Sequence, residues 1–428
     1  MKNFYLMPKF FTILKTYKKD QLVKDLIAGV IVAIIALPLS IALALASGVE
    51  PAAGVYTAIT AGFAVSLLGG SRVQIAGPTA AFASIVAGVV ATRGMEGLIL
   101  ATLMAGIILV LLGVLKLGGL IRFIPATITV GFTSGIAVTI LLGQIKDFLG
   151  LTYGAGVKPV ETIEKMEANI ASLSTFSWQA FLVGALSLAI LILYPRFEKR
   201  IPPSLIAVVV GALAVKFIPA LDVGVFTIGE LYEIPTGLPA FTLGSVSFHM
   251  DSILAALPDA VTIAVLAAIE SLLSCVVADT MVNSKHNPNA ELVAQGVGNM
   301  FSVMFGGIPA TGAIARTAAN AKNGGRTPVA GMVHALVLLL VLVFLMPLAK
   351  LIPMPTIAAI LFMVAYNMSE WKKFVLMCKT EKWTGITVLV LTFLLTVIKD
   401  LVVAIAVGLV LSFLFYLAEK IKVKKKAN

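Results

Sequence analysis

Long apolar segments, separated by short polar connections and recurring over the whole chain, constrain this sequence more than any other feature. A helix that crosses a bilayer needs about 20 mostly apolar residues. Apolar segments lie at roughly 25–47, 52–69, 73–92, 95–117, 123–145, 177–195 and 202–219, and again at 252–278, 291–306, 309–321, 328–349, 354–368, 384–398 and 400–419. That makes about fourteen, in two sets of seven. Hydrophobic residues form 59% of the 428 and charged residues 12%, which is not the composition of a soluble globular domain. Fourteen crossings leave no room for a sizeable soluble domain, so the expected fold class is an all-α polytopic membrane protein.

The net charge of +11 acts as a topology signal, because Lys and Arg gather in the tails and short loops. With the amino terminus inside, 24 of the 32 basic residues fall in inner connections and tails and 7 in outer ones, with Arg316 left within a segment. The inner set includes Arg122, Lys199 and Arg200, and the outer set includes Lys158. Both termini are therefore expected in the cytoplasm. Residues 1–24, with Lys2, Lys9, Lys15, Lys18 and Lys19, are expected as an amphipathic segment on the inner leaflet. Residues 421–428 form a basic tail, and the Lys420 to Lys426 cluster lacks the aromatic platform of a nucleic-acid surface. Cys275 and Cys378 lack zinc-ligand or disulfide spacing, and His249, His286 and His334 read as loop or packing residues. No catalytic triad or phosphate loop is present, so no enzyme and no cofactor is expected.

Two segments contain breaks. Gly77-Pro78 interrupts the third, and Gly306-Gly307-Ile308-Pro309 precedes the tenth; proline lacks an amide donor and clashes with the preceding turn. Half-helices are expected to start near Thr79 and Thr311, which lie 232 positions apart, each in the third segment of its set. Seven crossings per set place the second set upside down, so the two starts face each other near the midplane. Unpaired amides and the positive dipole ends there suit an anion, and the Thr79 and Thr311 hydroxyls offer donors. Ordinary proline kinks are the alternative reading. Phe82 is a candidate to line the pocket, or else a core residue.

Arg316 lies about one turn into the second half-helix. A cation there costs about 2.5 to 3.5 kcal/mol on insertion scales, so it is expected either to supply positive field to the anion or to pair with a carboxylate. Glu270, within the eighth segment, is the most deeply placed carboxylate. It can carry a coupling proton; with Ser274 one turn away it can instead hold sodium, or it can pair with Arg316.

Asp25-Leu26-Ile27-Ala28-Gly29, Ala36-Leu37-Pro38, Ala76-Gly77-Pro78-Thr79-Ala80, Glu270-Ser271-Leu272-Leu273 and the stretch Asn299 to Asn320 resemble the SulP anion transporters over essentially the whole chain, with closest similarity to bacterial aerobic C4-dicarboxylate transporters. The resemblance implies a seven-plus-seven inverted repeat, with a core domain (25–118 and 251–350) moving against a gate domain (119–220 and 351–420), and a homodimer in a bacterial inner membrane. It places the anion pocket on Thr79, Ala80, Thr311, Gly312 and Ala313, the coupling carboxylate on Glu270 and the balancing cation on Arg316. Ser40 stands where some relatives carry Glu or Gln. Relatives usually continue into a cytoplasmic STAS domain, which is expected to be missing from a chain that stops at Asn428. The expected function is proton-coupled uptake of small dicarboxylates by an elevator-like movement. Sulfate transport, sodium-coupled bicarbonate transport and a passive anion channel are the alternatives.

Overall fold

A computed structural model describes residues 6–119, 125–157, 159–198, 201–233, 238–246, 248–399 and 401–427. Lys2, Arg122, Lys158, Lys199 and Arg200 lie outside these residues, as do the side chains of the Lys420 to Lys426 cluster. A short helix α1 (Lys9–Ile13) and a 3-10 turn precede α2 (Lys19–Ala46) and α3 (Pro51–Leu68). The segment expected to lie apart as far as residue 24 is thus divided, and Lys19 onward already belongs to the first long helix. After α3 come a two-residue strand β1 (Ala76–Gly77), a 3-10 turn over Ala80–Phe82 and α4 (Ala83–Val114). Gly94 leaves the helical region inside α4 (φ 67°, ψ −173°) and divides it at the expected boundary of two segments.

The chain continues through α5 (Ala126–Leu149), α6 (Thr162–Ala171), α7 (Trp178–Phe197), α8 (Pro203–Phe217), and the single turns α9 (Pro219–Asp222) and α10 (Ile228–Leu231). The order of the first elements then returns: α11 (Met250–Val282), α12 (Pro288–Met304), β2 (Thr311–Gly312) and α13 (Ile314–Lys322). Finally come α14 (Val329–Phe344), α15 (Met354–Met368), α16 (Trp371–Thr380), α17 (Trp383–Ile398) and α18 (Leu401–Ala427). Local chemistry sets several starts. Pro51, Pro203 and Pro288 occupy first-turn positions, where the missing amide costs nothing, and Asn287 Oδ1 accepts the amides of Asn289 and Ala290 at the head of α12.

Helix-on-helix packing falls into two groups. The helices α2, α3, α4, α11, α12, α13 and α14 pack on one another, as do α5, α7, α8, α15, α17 and α18. The groups meet where α15 and α8 touch α2 and where α5 touches α4. Among the described residues, six helices are long and apolar enough to cross a membrane, and many large apolar side chains face outward, among them Leu111, Phe217 and Phe344. Outward apolar faces over helices of this length belong to a multi-pass membrane protein.

The sequence did not announce the two-stranded sheet. β1 and β2 pair antiparallel, Ala76 with Gly312 and Gly77 with Thr311, and so join the broken segments of the two sets. A buried polar stripe on α12 braces the approach to β2. Asn299 Oδ1 accepts from Ala310 N and its Nδ2 donates to Ala310 O, both at 2.8 Å, while Ser302 Oγ donates to Ile308 O at 2.6 Å. Backbone that leaves the helix inside a bilayer requires such partners, because hydrocarbon supplies none.

Candidate functional site

The site forms around the β1 and β2 pair. Antiparallel pairing sends the two chains away in opposite directions, so the helical starts at Ala80 and Ile314 each turn their amino-terminal ends toward the sheet. Residues 73–75 are stitched along α13: Asn320 Nδ2 donates to Val73 O (3.0 Å), Ile75 N to Thr317 Oγ1 (3.0 Å) and Ala313 N to Ile75 O (2.8 Å). Glycine is needed at both strand positions. A Cβ on Gly77 would lie 2.7 Å from Arg316 Nη1, and one on Gly312 would lie 1.7 Å from Gln74 Nε2. The arginine and the glutamine therefore each lie directly over a strand.

Arg316 is 3% exposed. Its Nη2 donates to Pro78 O, the carbonyl beside the first half-helix, and its Nη1 has no hydrogen-bond partner. Among the described residues it forms no ion pair with Glu270 or any other carboxylate. Glu270, half-buried, accepts from Thr79 Oγ1 at 3.0 Å instead. Thr79 and Glu270 are thus brought together, and the guanidinium keeps one N–H face uncommitted.

Other expected ligands are spent on the protein itself. Gly312 N donates to Ser271 Oγ (3.0 Å), Ser271 and Thr311 hydroxyls lie 2.7 Å apart, and Thr311 Oγ1 reaches Ala267 O at 3.4 Å. One orientation satisfies all of these, a chain from the Gly312 amide through Ser271 and Thr311 to the carbonyl, and it leaves the fully buried Thr311 no hydrogen to offer an anion. The Ala313 amide is held by Ile75 O. Thr311, Gly312 and Ala313 therefore build the site and do not present donors to it. The first-turn amides of Ile314 and Ala315, residues that are exposed, have no partner within α13, since a helix leaves its first amides without internal partners.

Ser274 was expected beside the coupling ion. Its hydroxyl donates to Gln74 Oε1 (2.9 Å) and lies 3.3 Å from Thr317 Oγ1, so it locks α11 to the β1 approach and is turned to protein rather than to a cation. Phe82 is fully buried in the main apolar cluster and packs there. Ala80 opens the 3-10 turn and is 6% exposed. Sequence reasoning missed Gln74, Ser271, Thr317 and Asn320, although each is a polar residue inside an apolar segment and such residues carry helix-to-helix bonds in membranes. His334 is buried within α14, but the hydrogen-bonded packing role expected for it is not met, since neither ring nitrogen has a hydrogen-bond partner; no cluster of potential metal ligands occurs among the described residues.

A model of the sulfate permease family matches residues 22–392. The chain belongs to the sulfate permease family. This family member is 44% identical over 409 residues to the Bacillus subtilis protein named "Putative sulfate transporter YvdB", covering 94% of this chain and 75% of that one. It superposes with a TM-score of 0.80 on the transmembrane domain of a cyanobacterium bicarbonate transporter, BicA, at 32% identity, covering 91% of this chain and 98% of that one. The murine Solute Carrier 26 family member A9 anion transporter shares its fold at a TM-score of 0.86 and 20% identity, covering 97% and 72%. These relatives are named for sulfate, bicarbonate and anions; the dicarboxylate likeness expected from the motifs is not among those names. Membership makes this family member a membrane transporter of anions and not an enzyme.

Proposed function

We propose that the protein is a secondary active transporter of a small inorganic oxyanion, sulfate in the first place, bound between the two half-helix starts beside Arg316. One observation carries this reading: a guanidinium almost wholly out of water, held by Pro78 O, with an N–H face that no protein group takes. A buried charge without a carboxylate partner is costly, and an anion that arrives in transit offsets that cost only while it is bound. The first-turn amides of Ile314 and Ala315 add donors at the positive end of the α13 dipole. One buried cation with the adjoining amides suits a compact anion, whose charge lies within reach of all of them at once, better than a dicarboxylate, whose two carboxylates are held apart by its carbon chain.

Glu270 is the proposed coupling group, a carboxylate bonded to Thr79 at the mouth of the first half-helix. It takes up a proton with the anion and releases it on the other side. Transport follows from movement of the group containing β1, β2 and Arg316 against the group built on α5 and α15, with two copies forming a homodimer and both termini cytoplasmic. Sodium-coupled bicarbonate transport is the second reading, favoured by the 32% identity to a bicarbonate transporter over 98% of its transmembrane domain.

The deciding experiment is uptake into proteoliposomes of labelled sulfate, bicarbonate, succinate and fumarate under imposed proton or sodium gradients. Sulfate accumulation driven by a proton gradient is the expected result. Bicarbonate accumulation driven by sodium would replace the first reading by the second, and equilibration without accumulation would make the protein a channel.

A further inference from the structure

A second feature of the molecule has no part in anion binding. A groove of about 740 Å³ runs between α3, α12 and α14, walled by Phe63, Val297, Phe301 and Leu336 and closed at one end by Phe10 and Leu14 of the amino-terminal segment. We propose that this groove holds one acyl chain of an anionic glycerophospholipid, with the phosphate seated among the basic residues of the amino-terminal segment.

Three observations point to that occupant. Two of the three walls are apolar helices, α3 long enough to cross a membrane and α14 a shorter one, and α12 contributes the apolar Val297 and Phe301. The polar residues of the lining are engaged elsewhere: Thr60 Oγ1 donates to Tyr56 O and the Tyr17 hydroxyl to Asp25. An apolar slot of this size, within the range of small-molecule sites, therefore meets hydrocarbon and not water.

The closing segment is itself amphipathic. Phe11 and Leu14 are 45% and 51% exposed, whereas the backbone amide of Lys9 is fixed to Gly69 O at 2.9 Å. A segment anchored to the end of α3 with uncovered apolar side chains lies in the headgroup boundary.

Charge at that boundary is mainly basic. Lys18, Lys19 and Lys24 are exposed, against the exposed carboxylate of Asp20, and the Asp25 carboxylate is buried and occupied by Tyr17, Gln21, Arg326 and Thr327. Burial and the charge of Arg72 push the Lys9 ammonium below its ordinary range, with Asp279 acting weakly the other way. A phosphate placed there relieves the crowding of Lys9 and Arg72. Zwitterionic lipid fills the same slot but gains less from the lysines.

The test is native mass spectrometry of the protein after equilibration with vesicles containing equal amounts of phosphatidylglycerol and phosphatidylcholine. Wild type should retain one phosphatidylglycerol per chain, with a preference of about thirtyfold, as two lysines near an anionic surface provide. Val297→Trp fills the groove and should abolish retention. Leu336→Trp, at a wall position that is 55% exposed, makes the same test without touching the interior, should the first variant not fold. Lys18→Gln combined with Lys19→Gln should keep a bound lipid and lose the preference. Equal retention of both lipids by wild type, or unchanged phosphatidylglycerol on the folded tryptophan variants, would overturn the proposal.

Discussion

Thr79 Oγ1 donates to Glu270 Oε2 across 3.0 Å, and this single bond joins the first broken helix to the eleventh helix of the chain, 191 positions away. The pair sits half-buried at the place where both expected roles, anion binding and coupling, converge. A carboxylate in this position responds to whatever changes at the start of α4.

Replacement of Glu270 by Gln keeps the shape and removes the charge. The expected outcome is loss of proton-driven accumulation with anion exchange retained, measured as counterflow in proteoliposomes with and without a pH gradient. Thr79→Val removes the donor to Glu270 and should alter proton-driven accumulation while leaving the half-saturating anion concentration little changed, because the Thr79 hydrogen is already given to the carboxylate. Unaltered proton coupling in the Gln variant would remove Glu270 from the mechanism.

Arg316→Ala should weaken anion binding by about tenfold to a hundredfold, in keeping with about 1.5 to 3 kcal/mol for a charge-assisted bond. Arg316→Lys should recover little of this, because a lone ammonium cannot hold Pro78 O with one nitrogen and present another to the anion. Calorimetric titration of sulfate onto the purified variants checks both, and undiminished affinity in the Ala variant would end the electrostatic role.

Gly312→Ala sets a methyl group where Gln74 Nε2 now lies, 1.7 Å away. Gln74 must then leave Ser271 O and Ser274, to which it is bonded at 3.0 and 2.9 Å. A destabilisation of about 1 to 3 kcal/mol is expected from the overpacking alone, read as a lower midpoint in a thermal size-exclusion assay. Ser271→Ala should act in the same direction, since it strands the Gly312 amide and takes the donor from the Thr311 oxygen.

Asp25 gathers donors from three places: Tyr17 before α2, Gln21 within it, and Arg326 and Thr327 in the loop after α13. Asp25→Ala should loosen that loop, seen as faster amide exchange at residues 323–327. Burial first, and then the bond to Asp25, push the Tyr17 hydroxyl up to about 12 from 10. The folded protein therefore holds this proton more tightly than the unfolded chain, so stability is intact below pH 10 and declines as pH rises from about 10 to 12. Tyr17→Phe should flatten that alkaline limb; an identical limb in the variant would assign it to other groups.

The amino-acid sequence alone determined what depends on spacing and on solvent. Segments such as 25–47 and 252–278 must be helical in hydrocarbon, because no other local structure satisfies their amides. Gly77-Pro78 and Ile308-Pro309 mark interruptions because proline removes a donor beside a glycine-rich stretch, whereas Pro38 and Pro258, with no glycine beside them, are carried within α2 and α11. Arg316 and Glu270 stand out because a charge inside such a segment is expensive wherever it ends up. The tertiary structure decided which polar groups remain free. A hydroxyl or amide is legible as a donor from its residue type, but whether it is still available depends on neighbours tens to hundreds of positions away. Thr311 and Ser274 were expected as ligands, yet Ser271, 40 positions before the one, and Gln74, 200 before the other, claim them. The pairing of Ala76 with Gly312 and Gly77 with Thr311 belongs to the same class, since two-residue strands leave no periodicity in the sequence. They exist only because two broken helices, set apart in the chain, satisfy their backbone against each other where neither water nor lipid can.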